Sequence, residues 1–414
     1  MKENKILFIG PVASRSGYGE HAREIADYLC KWDADFLVTS WGDNPMTALE
    51  NEDEITKKIT ERIVPKATKG SYDVCIHLGM PTEFQKIGNY NIGITAGVET
   101  DRCPVQFLKG CNDVDLVIVP SDFSKSTFLN TECIEDGKQI KCTTPIEVIS
   151  ETVNPAFHYK ENAHSDTLNS KLNAITEDFC FMFVGQWVSS QTDDGGRKNV
   201  NSLISTFCET FKNESNPPAL VLKTNGVDFS LFDEVNTRQL IESVTDNFEN
   251  PPSIYLIHGE LTEHEMASLY NHPKIKCHIS HTRGEGFGRP LLEASLSGKP
   301  VIAPKWSGHL DFLPKKNNLL IPGKMKPVGV VNSLFADGAQ WFDVDVDRSR
   351  ELMKDVYVNY DKHQKRAIAL ADDNLEKFSR KSIFNIYDNI FNQYIPPKKR
   401  EVELKLPNIK KLPT

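Results

Sequence analysis

Short apolar runs alternate with amphipathic stretches along this chain, and the alternation runs through once, stops and starts again. KILFIGPV, DFLVTSW, DVCIHLG, NIGITAG, LVIVPS and IEVIS have the length and content of strands, whereas EHAREIADYLCKW and SKSTFLN repeat their apolar residues at helical spacing. Strand and helix in turn predict a parallel, doubly wound sheet with helices on its faces. After Ser150 the stretch ETVNPAFHYKENAHSDTLNSKLN is polar, weakly periodic and interrupted by proline, as a linker is. The pattern then resumes, with FCFMFVG, ALVLKT, SIYLIHG, IKCHIS and KPVIAP as strands and VNSLISTFCETF, EHEMASLYN and RPLLEASLSG as helices. Two successive α/β halves are therefore expected.

Length agrees, because 414 residues exceed one ordinary domain and suit two of roughly 150–200 residues, each with its own core. The expected boundaries are 1–155 for the first domain, 156–175 for the linker and 176–375 for the second domain. A helical stretch from about Ser349 to Tyr394 is long enough for its end, 376–395, to cross back onto the first domain, and Pro396 and Pro397 stop it. The remainder, 396–414, is a basic tail that holds six Lys/Arg against two Glu from Lys398 onward. A solvated terminus is its simplest reading.

Composition excludes several classes. With 39% hydrophobic and 25% charged residues there is no signature of disorder, and the apolar runs fall short of the ~20 residues a spanning helix needs. MKENKILFIG has neither the apolar core nor the small-residue site of a secretory leader, so a cytoplasmic protein without stable membrane insertion is expected. Nine scattered cysteines with no C-x-x-C spacing read as reduced, mostly buried thiols rather than a metal or redox site. A net charge of −9 argues against a wholesale nucleic-acid coat, although a basic groove can coexist with it.

The most specific stretch is HTRGEGFGRPLLEASLSGKPVIAP, from His281 to Pro304. A strand leads into glycines 284, 286 and 288, Pro290 opens a helix, and seven residues separate Glu285 from Glu293. Glycines let backbone approach a ligand, a helix start favours phosphate, and the carboxylates suit sugar and ribose hydroxyls. Paired carboxylates also serve hydrolysis, but the strand-to-helix setting favours a nucleotide-sugar. A second constellation, FVGQWVSSQTDDGGRKNV, brings Arg197 and Lys198 to a helix start, as a diphosphate needs; alone, such a pair is more often solvated. GPVASRSGYGEH puts Gly17 and Gly19 after the first strand, without the G-x-G-x-x-G of a dinucleotide fold, and an ordinary turn is the equal alternative. NIGITAGVETDRCP sets Glu99, Thr100 and Asp101 just past a strand end, where open α/β sheets keep working residues, with a helix cap as the rival role for Thr100. His77, His281 and His309 also follow strands or turns, and none is assigned as a general base.

The 281–304 stretch resembles the E-x7-E signature of retaining glycosyltransferases of the family-4 type, glycosyl transferases group 1, and phage-encoded members are similar in flavour. The resemblance implies a GT-B fold, with two Rossmann-like parallel-sheet domains facing a central cleft. It implies that Glu285 contacts the donor sugar, Glu293 the ribose and Gly286, Phe287 and Gly288 the donor. Lys198 stands where the family lysine is expected. The family arginine falls near Gln186, so Arg197 or Lys223 is the substitute cation. Leu261 would flank the nucleobase, the Gly17 and Gly19 loop the phosphates, and Glu99 and Thr100 the acceptor and reacting sugar. By this resemblance no cofactor and no metal is required, and a UDP-sugar is favoured as donor to a hydroxyl on a glycan or lipid-linked glycan. Phage-type transfer to hydroxymethylated cytosine in DNA is the alternative, and a nucleotide-sugar epimerase or hydrolase the second.

Overall fold

The computed structural model describes residues 4–14, 16–39, 54–161, 163–188, 196–314, 319–329 and 332–398. Residues 189–195 and the basic tail from 399 onward lie outside them. In the first half the elements run β1 (Ile6–Gly10), α1 (Gly17–Cys30), β2 (Asp35–Val38), α2 (Glu54–Thr60), β3 (Tyr72–Leu78), β4 (Gly88–Ile94), α3 (Val105–Asn112), β5 (Leu116–Val119), α4 (Asp122–Asn130), β6 (Glu132–Glu135), β7 (Lys138–Lys141) and β8 (Ile146–Val148). The connecting stretch holds α5 (Asp166–Asn173). The second half follows with β9 (Cys180–Val184), α6 (Val200–Phe211), β10 (Ala219–Lys223), α7 (Leu231–Thr245), β11 (Ile254–Ile257), α8 (Glu263–Asn271), β12 (Ile275–Ile279), α9 (Arg289–Leu296), β13 (Val301–Pro304), β14 (Leu320–Ile321), β15 (Gly323–Pro327) and β16 (Gln340–Val344). Three helices end the described chain: α10 (Val346–Val358), α11 (Tyr360–Lys377) and α12 (Arg380–Tyr394).

The two main sheets have six parallel strands each, ordered β2-β1-β3-β4-β5-β8 and β11-β10-β9-β12-β13-β14. Helices cover both faces, so a strand such as β1 or β10 is buried along its whole length and reads as an unbroken apolar run rather than an alternating one. Strand order reverses between β1 and β3 in the first sheet and between β9 and β12 in the second. Such reversals leave a crevice beyond the carboxyl ends of the strands, which is where ligands bind in open α/β sheets.

Local chemistry fixes the helix ends that matter. The Ser16 hydroxyl caps α1 by accepting from Gly19 N, and Thr262 and Glu265 form a reciprocal capping box on α8. By contrast α6 starts from Asn199 at φ 52° and α9 from Gly288 at φ 98°, neither with a side-chain cap on its first turn. What holds α6 down is its apolar stripe, with Leu203, Ile204, Phe207 and Phe211 buried against the second sheet. Truncating a ring such as Phe207 to alanine would cost about 3–5 kcal/mol.

The terminal helical stretch is broken at Asn359 and Ser379 rather than continuous. α11 packs on α9 in the second half, whereas α12 lies on α1 of the first, where Tyr28 packs against Phe384, Tyr387 and Phe391. The chain therefore crosses between the halves twice. The crossings touch: Val153 N donates to Phe378 O at 2.9 Å. Among the described residues no helix is long and apolar enough to cross a membrane.

Candidate active site

The loops after β9 and β12 flank the reversal point of the second sheet, and they carry Arg197, Lys198 and Glu285. Lys198 Nζ lies 2.6 Å from Glu285 Oε1, and Arg197 Nη1 lies 3.1 Å from Oε2. The Thr282 hydroxyl donates to Oε1 at 2.7 Å. Burial pushes the Glu285 carboxyl up, but Lys198 and Arg197 more than offset it and hold it at about 2. It is an anion at neutral pH, suited to facing positive charge rather than to giving up a proton. Burial in turn lowers Lys198, and Glu285 pulls it back up only in part.

The first half closes on this cluster through the loop after β4. Glu99 Oε2 lies 2.7 Å from Arg197 Nε, so one guanidinium bridges a carboxylate from each half. Burial raises the Glu99 carboxyl against the pull of Arg197. A Cβ on Gly284 would overlap the carbonyl oxygen of Glu99, and one on Gly286 that of Ala96. These two glycines bring backbone against the opposite half, a use of small residues that sequence reading assigned to the ligand. The remaining glycine of the triplet, Gly288, has the positive φ that starts α9.

The other half of the signature is set apart. Only Glu293 lies in a helix, since Glu285 precedes the start of α9, so the two carboxylates do not share a helical face. Tyr270 OH donates to Glu293 Oε2 at 3.3 Å. Burial pushes Glu293 up to about 8, against Arg289 and with help from Glu20. Arg289, the first residue of α9, reaches Glu24 at 2.9 Å and Glu151 at 2.6 Å in the first half.

The other sequence candidates fall as follows. Lys223 Nζ donates to Gly259 O at 2.7 Å, and burial lowers it to about 8. The Phe287 ring is buried against Phe312 and Phe378, so it packs in the core rather than in a ligand cleft. Leu261 is half-buried against the core, and the surroundings of Gly17 are open. Thr100 is buried and donates to Arg102 O at 2.8 Å, while α3 starts from Pro104. Gln186 Nε2 donates to Gly226 O at 2.8 Å. His281 is clasped by Ser202 and Ser349 and pushed down by burial to about 3, and burial lowers His77 to about 4. All nine cysteines are free thiols.

Residues 196–327 match the family described as Glycosyl transferases group 1, a span that contains Arg197, Lys198, Glu285 and Glu293. Within the second half, this stretch is thus similar to the group 1 glycosyltransferase domain. Solved glycosyltransferases share the whole two-sheet architecture. HepE of Anabaena, solved with UDP, is 14% identical with a TM-score of 0.61 over 94% of this chain and 100% of that one. Sucrose-phosphate synthase of Thermosynechococcus elongatus is 14% identical with a TM-score of 0.62 over 94% and 99%. A UDP-forming trehalose-phosphate synthase of Burkholderia xenovorans is 10% identical with a TM-score of 0.63 over 95% and 99%. The α/β fold is thus the GT-B arrangement of two parallel-sheet domains. A comparison with curated protein sequences finds no match.

Around the group 1 domain stand residues that sequence reading missed. Ser121 and Ser124, at the start of α4, both direct their hydroxyls to Gly286 O across the halves. Tyr18, between the glycines of α1, accepts from Ala96 N at 3.1 Å and so ties the first loop to the β4 loop. His309 Nε2 donates to Pro304 O at 2.7 Å, which leaves Nδ1 to face Ser307 Oγ; that oxygen accepts from Glu285 N at 3.1 Å. The hydroxyls and the tyrosine had a signal, in a Ser-x-x-Ser helix start and a tyrosine flanked by glycines. His309 was named from the sequence without a role, and nothing local pointed to its link through Ser307 to Glu285.

Proposed function

We propose that the chain is a retaining transferase of the family-4 type, which moves a sugar from a UDP-sugar to a hydroxyl of a glycan or lipid-linked glycan in the cytoplasm, without a metal. The observation that carries this reading is the convergence of Arg197 and Lys198 on Glu285 between two uncapped helix starts. With no ligand present the carboxylates of Glu285 and Glu99 balance the cations. A diphosphate arriving at α6 and α9 would share them, and their charge would then meet the charge that grows on the departing phosphate. UDP as the leaving group is supported by the neighbours solved with it or named for forming it.

In the proposed reaction the bond from the anomeric carbon to the phosphate oxygen breaks, and the acceptor oxygen bonds to that carbon on the same face. The acceptor proton passes to the departing phosphate. Glu285, ionised, stabilises the positive charge that appears on the sugar, while the closed halves keep out water that would hydrolyse the donor. Glu293, protonated at neutral pH when unliganded, can both donate to and accept from a ribose diol.

A thermal-shift panel of UDP-, GDP- and ADP-sugars tests the donor, because a ligand at a hundred times its Kd adds about 2.7 kcal/mol of stability. Stabilisation by UDP-sugars, followed by mass-spectrometric detection of a glycosylated oligosaccharide, is the expected result. Product on hydroxymethylated DNA would replace the acceptor by the phage-type alternative. Donor consumed with no acceptor present would point to an epimerase or hydrolase instead.

A further inference from the structure

A cavity of about 590 Å³ lies where the two halves meet, to one side of the Glu285 cluster. Arg102, just before α3, and Gln106, in its first turn, form one wall with the β6–β7 hairpin. The segment 332–337 before β16 forms the other. The walls are stitched at Asp101, whose N–H donates to Gln340 O at 2.9 Å and whose Oδ1 accepts from Gln340 N at 2.6 Å. Asp101 follows Glu99 by two residues, at most about 7 Å of extended chain. One loop therefore carries both the carboxylate paired with Arg197 and the edge of this cavity.

The lining has a definite chemistry. Asp101, Glu132, Glu135 and Asp337 supply carboxylates, and Arg102 is the single cation among the lining residues. Lys109, just outside, is paired to Glu135. Such a surface repels phosphodiesters and other polyanions. Asn332 Oδ1 accepts from Leu334 N at 2.7 Å and Phe335 N at 2.9 Å, which fixes its amide plane. Ile134, 82% exposed on the hairpin, gives an apolar lip. Carboxylates and amides above an apolar lip are what the hydroxyls and C–H faces of a sugar chain require.

We infer that this cavity seats the units of an uncharged glycan acceptor that lie beyond the unit bearing the reacting hydroxyl. The inference rests on the transfer reading and narrows its acceptor class. Its test uses the full chain and two variants at exposed lining positions, Asn130→Trp and Asp337→Trp, which fill the cavity without entering the core. Each is measured on an array of uncharged oligosaccharides of one to four units with UDP present, on hydroxymethylated duplex DNA, and for the thermal shift with UDP-glucose. The parent should bind oligosaccharides more tightly than monosaccharides, and either variant should lose at least about tenfold of that binding while keeping the UDP-glucose shift. Unchanged binding in both variants, preference for the duplex, or no retention of any uncharged oligosaccharide by a parent that responds to UDP-glucose would each overturn the assignment. A parent with no response to any nucleotide-sugar would overturn the transfer reading itself.

Discussion

Glu285 and Glu293 are eight positions apart, yet they titrate in opposite directions. Both are penalised by burial. Glu285 is held at about 2 because Lys198 and Arg197 come from a different loop to meet it. Glu293 has Arg289 nearby, but that guanidinium is already engaged by Glu24 and Glu151, and Glu20 and Glu263 add repulsion, so the carboxyl rises to about 8. A spacing motif specifies two carboxylates and leaves their protonation to the partners that the fold delivers. The pair thus differs in protonation, one member charged at neutral pH and the other able to donate a hydrogen bond.

The largest way to break this contrast is Glu285→Gln. Removing the charge should lower kcat for transfer by about 100-fold or more, the scale of a lost transition-state electrostatic contact. UDP affinity should hold or rise, because Lys198 and Arg197 lose a competitor for the diphosphate; calorimetric UDP binding beside a turnover assay checks both. Lys198→Ala should come next, with kcat/KM lower by roughly 10- to 100-fold and weaker UDP binding. An unaffected kcat/KM would move the phosphate site elsewhere.

Stability against pH separates the two carboxyls by sign. The folded value of Glu285 lies below its ordinary 4.5, so its contribution is present above that pH and is lost as pH falls towards 2. The folded value of Glu293 lies above 4.5, so it costs nothing below that pH and destabilises progressively as pH rises to about 8. Glu293→Gln should therefore match the parent at pH 4 and exceed it at pH 8 by on the order of 1–2 kcal/mol, less than the full linkage because the side chain is only partly buried. Parallel denaturation curves at both pH values would show that ionising Glu293 costs the fold nothing. The smallest effect is expected of Tyr18→Phe, which removes a bond to Ala96 N worth about 1 kcal/mol and should raise the donor KM more than it changes kcat.

What could be read beforehand follows from range. Strand runs and the two helices VNSLISTFCETF and EHEMASLYN were legible because their apolar periodicity is local, and α6 and α8 occupy those same residues. α7 was not, since Leu231, Phe232 and Val235 are exposed and give no single buried face. The β6–β7 hairpin carried a signal that went unread: Asp136 and Gly137 both have positive φ, the Asp-Gly turn that joins two strands. At the site, Glu285 and Lys198 were legible from short motifs. The Arg289 bridge to Glu24 and Glu151 was not, because its partners come from residues 265 and 138 positions earlier.

The contact between Val153 and Phe378 brings together the two places where the chain passes from one half to the other. Two rigid bodies joined at well-separated points can turn only about the line through them, whereas bodies joined at what is in effect one point keep three rotations. The covalent crossings therefore do not by themselves confine the two halves to a single swing; what holds them in register is the set of side-chain bridges, such as Arg289 to Glu24 and Glu151.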